Sequence, residues 1–214
     1  MKTELWIVRH GQSEANIQRL YGGRLDMPLT DLGRAQAEKT AAFFKDTPLD
    51  ACYASDLCRA FETAEIIARP HDGLTVLPEK GLREIDGGLW EGHLYDRLKY
   101  DFPESYAVWL NDIGRAKPDG GESVLDTARR VTKTLHRLAE EHEGKTLLIV
   151  THAVALRCFT GMVKWGNVDS LKDLPYATNA SASHFEYENG VFTLLEYSID
   201  HYMGDLRTAL PKTV

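Results

Sequence analysis

Two arginines and two histidines follow directly on three short apolar runs of this chain. Arg9-His10-Gly11 follows Leu5–Val8, Ser55-Asp56-Leu57-Cys58-Arg59 follows Asp50–Ala54, and Thr151-His152-Ala153 follows Thr146–Val150. Guanidinium forks donate paired hydrogen bonds, and an imidazole donates or attacks, so such a group suits a tetrahedral dianion. Taken singly, a loop arginine is usually a solvated charge and a histidine after a strand a hydrogen-bonded structural residue. Recurrence at three run ends points instead to an anion site. Other chemistries lack their patterns. No GxGxxG or GxxxxGK[ST] cradle and no GxSxG elbow is present. The histidines, at 10, 71, 93, 136, 142, 152, 184 and 201, form no HExxH or HxH pair, so spacing gives no support for a metal.

The elements that must position these residues alternate along the chain. Leu5-Trp6-Ile7-Val8 is a buried-strand run. Thr30 caps a helix from Asp31 to about Lys45, and Pro48 closes it. Asp50–Ala54 is a second, weakly marked strand. Ser55 or Asp56 is placed to cap a helix whose apolar positions are Leu57, Ala60, Phe61, Ala64 and Ile67, ended by Pro70. From Ser123, the residues Val124, Ala128, Val131, Leu135 and Leu138 step by four and three, one helical stripe against a core. Gly144 stops it, Thr146–Val150 is the strongest strand, and a helix from about Val154 to Val163 follows. Ser183–Tyr187 and Val191–Tyr197 flank Asn189-Gly190, the preferred pair for a type I′ hairpin turn. The expected fold is α/β: three layers, α/β/α, with a mostly parallel central sheet. The Gly-, Pro- and aromatic-rich stretch 87–121 is expected as a small inserted subdomain over the strand C-terminal ends, within one domain spanning 1–214. Ligands of such sheets bind beyond those ends.

Composition narrows the partners. The chain has 214 residues, with 25 basic and 32 acidic side chains, so 25 − 32 = −7. A 43% hydrophobic content is that of an ordinary soluble globular protein. An acidic balance argues against nucleic acid, which asks for a basic face. No apolar run could span a membrane, and Glu4 interrupts the N-terminal stretch where a signal peptide needs apolar residues. Cys52, Cys58 and Cys158 form no CxxC pair, so a reducing cytoplasm is the expected location.

Longer stretches resemble the histidine phosphatase superfamily, the phosphoglycerate-mutase-like group, over nearly the whole chain. Leu5 through Asn16, with Arg9-His10-Gly11 at its centre, is similar to the opening signature. Asp26–Thr30 with Gly33–Ala37 is similar to the next segment, and Ser55–Ala60 with Thr63-Ala64 to the second arginine motif. Leu82-Arg83-Glu84-Ile85 with Gly88–Gly92 resembles the acid motif. Gly120–Ser123 precedes the long helix, and Val150-Thr151-His152 resembles the second histidine motif. Two departures stand out. Ala153 and Val154 follow the second histidine where glycines are frequent, and Ile85 and Asp86 stand where mutases usually carry paired arginines.

The resemblance implies a phosphatase acting on a small phosphorylated metabolite through a phosphohistidine, with no cofactor or metal. It makes His10 the nucleophile and Glu84 the general acid and base. Arg9, Arg59 and His152 would hold the phosphoryl oxygens, His152 also counting as catalytic, and Asn16 would donate to phosphate. By spacing alone Asp86, Glu91 and Glu122 compete for the acid role, and Glu122 could instead anchor the insertion. Arg24 and Trp90 are candidates for the substrate rim, with Arg19, Tyr21, His93, Arg97 and His201 behind them. Asn179-Ala180-Ser181 resembles a segment bordering the site. The rival readings are a cofactor-dependent phosphoglycerate mutase, with Arg97, Lys99 and Arg115 as its extra cations, and a non-catalytic phospho-ligand-binding module. No pattern in the chain fixes an oligomeric state.

Overall fold

Four parallel strands and an antiparallel hairpin form one six-stranded sheet in the computed structural model, which describes residues 1–208. The strands are β1 (Thr3–Arg9), β2 (Ala51–Ala54), β3 (Val76–Pro78), β4 (Thr146–Thr151), β5 (Ala182–Glu188) and β6 (Val191–Ile199). Their order is β3-β2-β4-β1-β5-β6. β3, β2, β4 and β1 run parallel, β5 runs antiparallel to β1, and β6 antiparallel to β5. The hairpin turn has Asn189 and Gly190 at φ of 53° and 84°, as a type I′ turn requires.

Helices cover both faces because the strands alternate two apolar sets. Leu5, Ile7, Leu147 and Ile149 pack against α6 (Val124–Glu141) and α7 (Ala153–Trp165). Val8, Cys52, Ala54, Leu148 and Val150 pack on the other side against α2 (Asp31–Phe44) and α3 (Cys58–Ala68). The three-layer expectation holds. Thr30 caps α2 by accepting from the Gly33 N–H at 3.0 Å, and Ser123 caps α6 by accepting from Asp126 at 3.0 Å.

Some elements differ from the sequence reading. β3 and the one-turn helix α1 (Glu14–Ile17) carry too few residues to show a period. Neither Ser55 nor Asp56 caps α3: its cap residue is Leu57, without a side-chain bond. Asp56 is drawn instead to Arg83 by two hydrogen bonds of 2.6 Å, and Ser55 turns towards β4. The 87–121 stretch contains α4 (Tyr95–Asp101) and α5 (Pro103–Asn111). Its Trp90, Leu98, Tyr106, Trp109 and Ile113 pack with Val124 and Ala128 of α6 and Val154 and Cys158 of α7. Those residues lie in the first two turns of the two helices, and α7 follows directly on β4, so this stretch sits at the carboxyl end of β4. Among the described residues no helix is long and apolar enough to cross a membrane.

Candidate active site

Strand register brings the two histidines together. Arg9 pairs with Thr151 across β1 and β4, and Ala54 pairs with Val150 across β2 and β4. Pairing extends one residue further, with the His10 N–H on the Thr151 carbonyl at 3.0 Å and the Ser55 N–H on the Val150 carbonyl at 2.9 Å. His10, His152 and Ser55 therefore stand on adjoining strand tips. The two imidazoles are 5.1 Å apart, edge to face. Gly11 permits the chain to turn there: a Cβ would strike the Gly33 backbone at the start of α2.

Each charged or titrating group at the tips is held by backbone or by a side chain of a neighbouring tip. His10 donates from Nδ1 to the Gly11 carbonyl at 2.6 Å, which leaves the lone pair on Nε2. That nitrogen accepts from Arg59 Nε at 3.3 Å. The other Arg59 donors go to the Leu25 and Gly23 carbonyls, both at 2.8 Å. Arg9 donates to the Ala177 carbonyl, and its Nε, though buried, has no partner. Asn16 Oδ1 accepts from Ser13 N and Asn179 Nδ2, so its NH2 group is the end left to donate. Asn179 and Ala180 both donate to the His10 carbonyl at 3.2 Å. Burial, and then the charges of Arg59 and Arg9, push His10 well below the ordinary histidine value of 6.5. Burial followed by Arg59 does the same to His152. Both rings are neutral at neutral pH. His152 bonds Ser55 Oγ through Nε2 at 2.8 Å, while its Nδ1 is buried without a partner.

Glu84 enters from the loop after β3. Its Oε1 accepts from the Ile85 and Ala155 N–H groups at 2.9 and 3.0 Å, and Oε2 from Val154 at 3.0 Å. The carboxylate thus covers the first turn of α7, where N–H groups lack helical partners. The loop is fixed from behind. Arg130 donates to the Gly81, Arg83 and Glu84 carbonyls and forks onto Glu122 at 2.7 and 2.9 Å, while Thr151 Oγ1 donates to Leu82 at 2.7 Å.

Arg9, His10, Asn16, Arg59 and Glu84 line one cavity of about 170 Å³, whose further wall holds Arg19, Tyr21, Tyr95 and Tyr176. His152 lies just behind His10, fully buried. The two expected rim residues lie elsewhere. Trp90 is 0% exposed, packed in the aromatic core of the 87–121 stretch with its Nε1 on Asp119 at 3.1 Å. Arg24 turns away to pair with Asp86 at 3.0 Å and Glu122 at 3.3 Å. His93 and Arg97 pair with Asp101, and His201 packs by Phe43, all outside the cavity. The competing carboxylates are engaged: Asp86 on Arg24 and the Gly88 N–H, Glu91 on the Arg24 and Gly87 N–H groups, Glu122 on Arg130. Arg130, Tyr95 and Tyr176 are not marked by the sequence, and Ser55 is marked there only as a helix cap and as part of the second arginine motif. Their roles come from contacts between distant segments, which no local spacing signals. Among the described residues no three His, Cys, Asp or Glu side chains are grouped to hold a metal ion.

Known proteins share this arrangement of chain. A family model described as the histidine phosphatase superfamily (branch 1) matches residues 5–200. Adenosylcobalamin/alpha-ribazole phosphatase of Salmonella typhimurium is 34% identical over 193 residues, 90% of this chain and 89% of that protein. Phosphoserine phosphatase 1 of Hydrogenobacter thermophilus is 30% identical over 212 residues, 99% of each. Among solved structures, Bacillus stearothermophilus YhfR superposes with a TM-score of 0.89 at 30% identity, covering 94% of this chain and 99% of its own.

Proposed function

The chain belongs to branch 1 of the histidine phosphatase superfamily, and from that premise we propose that it hydrolyses a small phosphate monoester through a phosphohistidine at His10. It is a phosphoric monoester hydrolase. The observation that carries the mechanism is the orientation of His10. With Nδ1–H on the Gly11 carbonyl, the Nε2 lone pair is the nucleophile once Arg59 turns its Nε–H from that nitrogen to the phosphoryl oxygens, and burial keeps the ring neutral. In the first step Nε2 forms a bond to phosphorus while the ester P–O bond breaks, and the departing alkoxide takes a proton from Glu84. In the second, water attacks phosphorus, Glu84 takes its proton, and the P–N bond breaks to release inorganic phosphate. Phosphoryl transfer asks mainly for position and for positive charge facing the equatorial oxygens. Arg9 and Arg59 supply that charge and the Asn16 NH2 group a further donor, while His152, neutral and held on Ser55, backs His10.

The mutase reading needs a second cationic subsite. Arg97 pairs with Asp101, Arg115 with Asp112, and neither they nor Lys99 line the cavity, which favours hydrolysis. The same reading keeps 87–121 as an insertion within one domain, and three free cysteines agree with a reducing cytoplasm. The test is phosphate release from nitrophenyl phosphate, without a bisphosphate primer and in excess EDTA. Wild type should turn over and form an acid-labile phosphoenzyme. His10→Ala should lose about 10⁴-fold or more in kcat and form none. Activity retained in that variant, or lost to EDTA and restored by magnesium, would overturn the mechanism.

A further inference from the structure

The strand tips leave the far wall of the cavity without a task. Tyr21, Tyr95 and Tyr176 line it, the first two with rings 5.5 Å apart. Tyr21 and Tyr176 are 2% and 7% exposed, and neither hydroxyl has a hydrogen-bond partner. Buried polar groups are almost always paired, so two unpaired phenols on one cavity wall call for a ligand. Arg157 lies over the Tyr176 ring at 4.2 Å, with its own N–H groups on the Leu171 and Leu174 carbonyls, and so fixes that phenol in place. Burial pushes all three phenols upward, Tyr176 to about 12, so each keeps its proton and can donate.

The charge on this wall is as informative. Arg9 and Arg59 belong to the phosphoryl end. Arg19, the remaining cation among the described lining residues, pairs with Asp96 at 3.1 Å on the exposed rim. Beside the phenols stand Leu20, Ile85 and Val154. A carboxylate or second phosphate on the leaving group would meet phenols and apolar side chains, with Arg19 already paired to Asp96 at the rim. A hydroxyl would meet phenols that donate and accept, with apolar side chains for its carbon skeleton.

We propose, resting on the hydrolase reading above, that Tyr21, Tyr95 and Tyr176 form the leaving-group subsite, and that the alcohol it takes is neutral and carries hydroxyls of its own, as a sugar or polyol does. The phenols then select among phosphate esters that the strand tips treat alike.

The experiment compares kcat/KM for matched esters: glycerol phosphate against phosphoglycerate, and a hexose phosphate against the corresponding phosphoaldonate. Each pair exchanges a neutral group for a carboxylate. Nitrophenyl phosphate, without leaving-group hydroxyls, is the reference. Wild type should prefer the neutral member by about tenfold or more, the scale of one charge-assisted or orphaned polar contact. Tyr21→Phe and Tyr176→Phe should each lower the ratio of hexose phosphate to nitrophenyl phosphate by about fivefold or more, chiefly through KM. Equal or faster turnover of the acidic members, or a ratio that neither variant moves, overturns the subsite alone while nitrophenyl phosphate is still hydrolysed. No phosphate from any ester would overturn the hydrolase reading and the subsite with it.

Discussion

At the strand tips each guanidinium and each reactive imidazole is tied to backbone or to a neighbouring tip; across the cavity the 87–121 stretch is held by aromatic packing. His10 is set by Gly11, Arg59 by Gly23 and Leu25, Arg9 by Ala177. Opposite them Trp90 meets Tyr21, Tyr106 and Trp109 at 5.3 to 5.8 Å between rings. The two solutions differ in what they fix. Hydrogen bonds to backbone carbonyls of the loops around the strand tips fix direction, which attack on phosphorus requires. Aromatic packing fixes volume and leaves hydroxyls over, which suits recognition of varied alcohols. Chemistry is anchored at the strand tips, and the proposed selection lies on the aromatic wall, to which the 87–121 stretch contributes Tyr95 and packs Tyr21 against Trp90.

The sharpest way to break this division is at Glu84, which belongs to the strand-tip end but sits beside the phenols. Glu84→Gln keeps an oxygen for the Ile85 and Ala155 N–H groups and turns an NH2 towards Val154. General acid catalysis is worth about 10²–10⁴-fold for a poor leaving group. Sugar phosphates should slow by that amount in the first step, whereas nitrophenyl phosphate, whose phenolate leaves unaided, should slow far less. Phosphoenzyme should then accumulate as a burst in rapid-mix kinetics, because water also needs a base. Equal slowing for both leaving groups would mean that the substitution disturbed the α7 start and not a proton.

A smaller effect is expected at Trp90. Trp90→Phe removes ring volume from a fully buried site and deprives Asp119 of its indole donor, though Ser105 still bonds it. Loss of stability should be about 1–3 kcal/mol, read from the denaturant midpoint. Trp90 touches no reacting atom, so kcat on nitrophenyl phosphate should stay close to wild type. A collapse of kcat with the midpoint unmoved would show that the 87–121 stretch also aligns the strand tips, and the division between regions would fail.

The same contrast governs what could be read from the sequence. Parallel strands set neighbours by register, so Arg9-His10 and Thr151-His152, each at the end of an apolar run, were legible as one site. Glu84 was not singled out by spacing; only the family resemblance chose it over Asp86, Glu91 and Glu122. Its place depends on Arg130 of α6, whose hydrogen bonds to three loop carbonyls join segments distant in the chain. The alanine and valine after His152 are explained by backbone, since their region supplies N–H groups to Glu84 and needs no glycine. Trp90 and Arg24 were misread for a related reason. An aromatic in a Gly-rich stretch suits a rim or a small core equally, and only packing against Val124 and Val154 decides.

The smallest effect concerns the energetic cost of the strand-tip end, and it is a pH dependence. His10 and His152 are buried neutral, with burial holding both well below 6.5. The unfolded chain binds protons at these positions as pH falls through about 6.5, while the folded chain does not. The unfolded state therefore holds more protons, and stability rises with pH. Their stabilising contribution is complete above about 6.5 and is lost as pH falls below it, by about 1.4 kcal/mol per pH unit for each histidine. His71 is pushed down more weakly by partial burial, and it contributes alike to wild type and variant. Asp56, held low by its hydrogen bond to Arg83, acts only further into acid. Urea unfolding between about pH 5 and 6.5 should thus give a positive slope of stability with pH that His10→Ala reduces by about one histidine's share. An unchanged slope in that variant would mean that His10 takes up a proton in the folded protein. It would then not be the neutral nucleophile that the Gly11 hydrogen bond prepares.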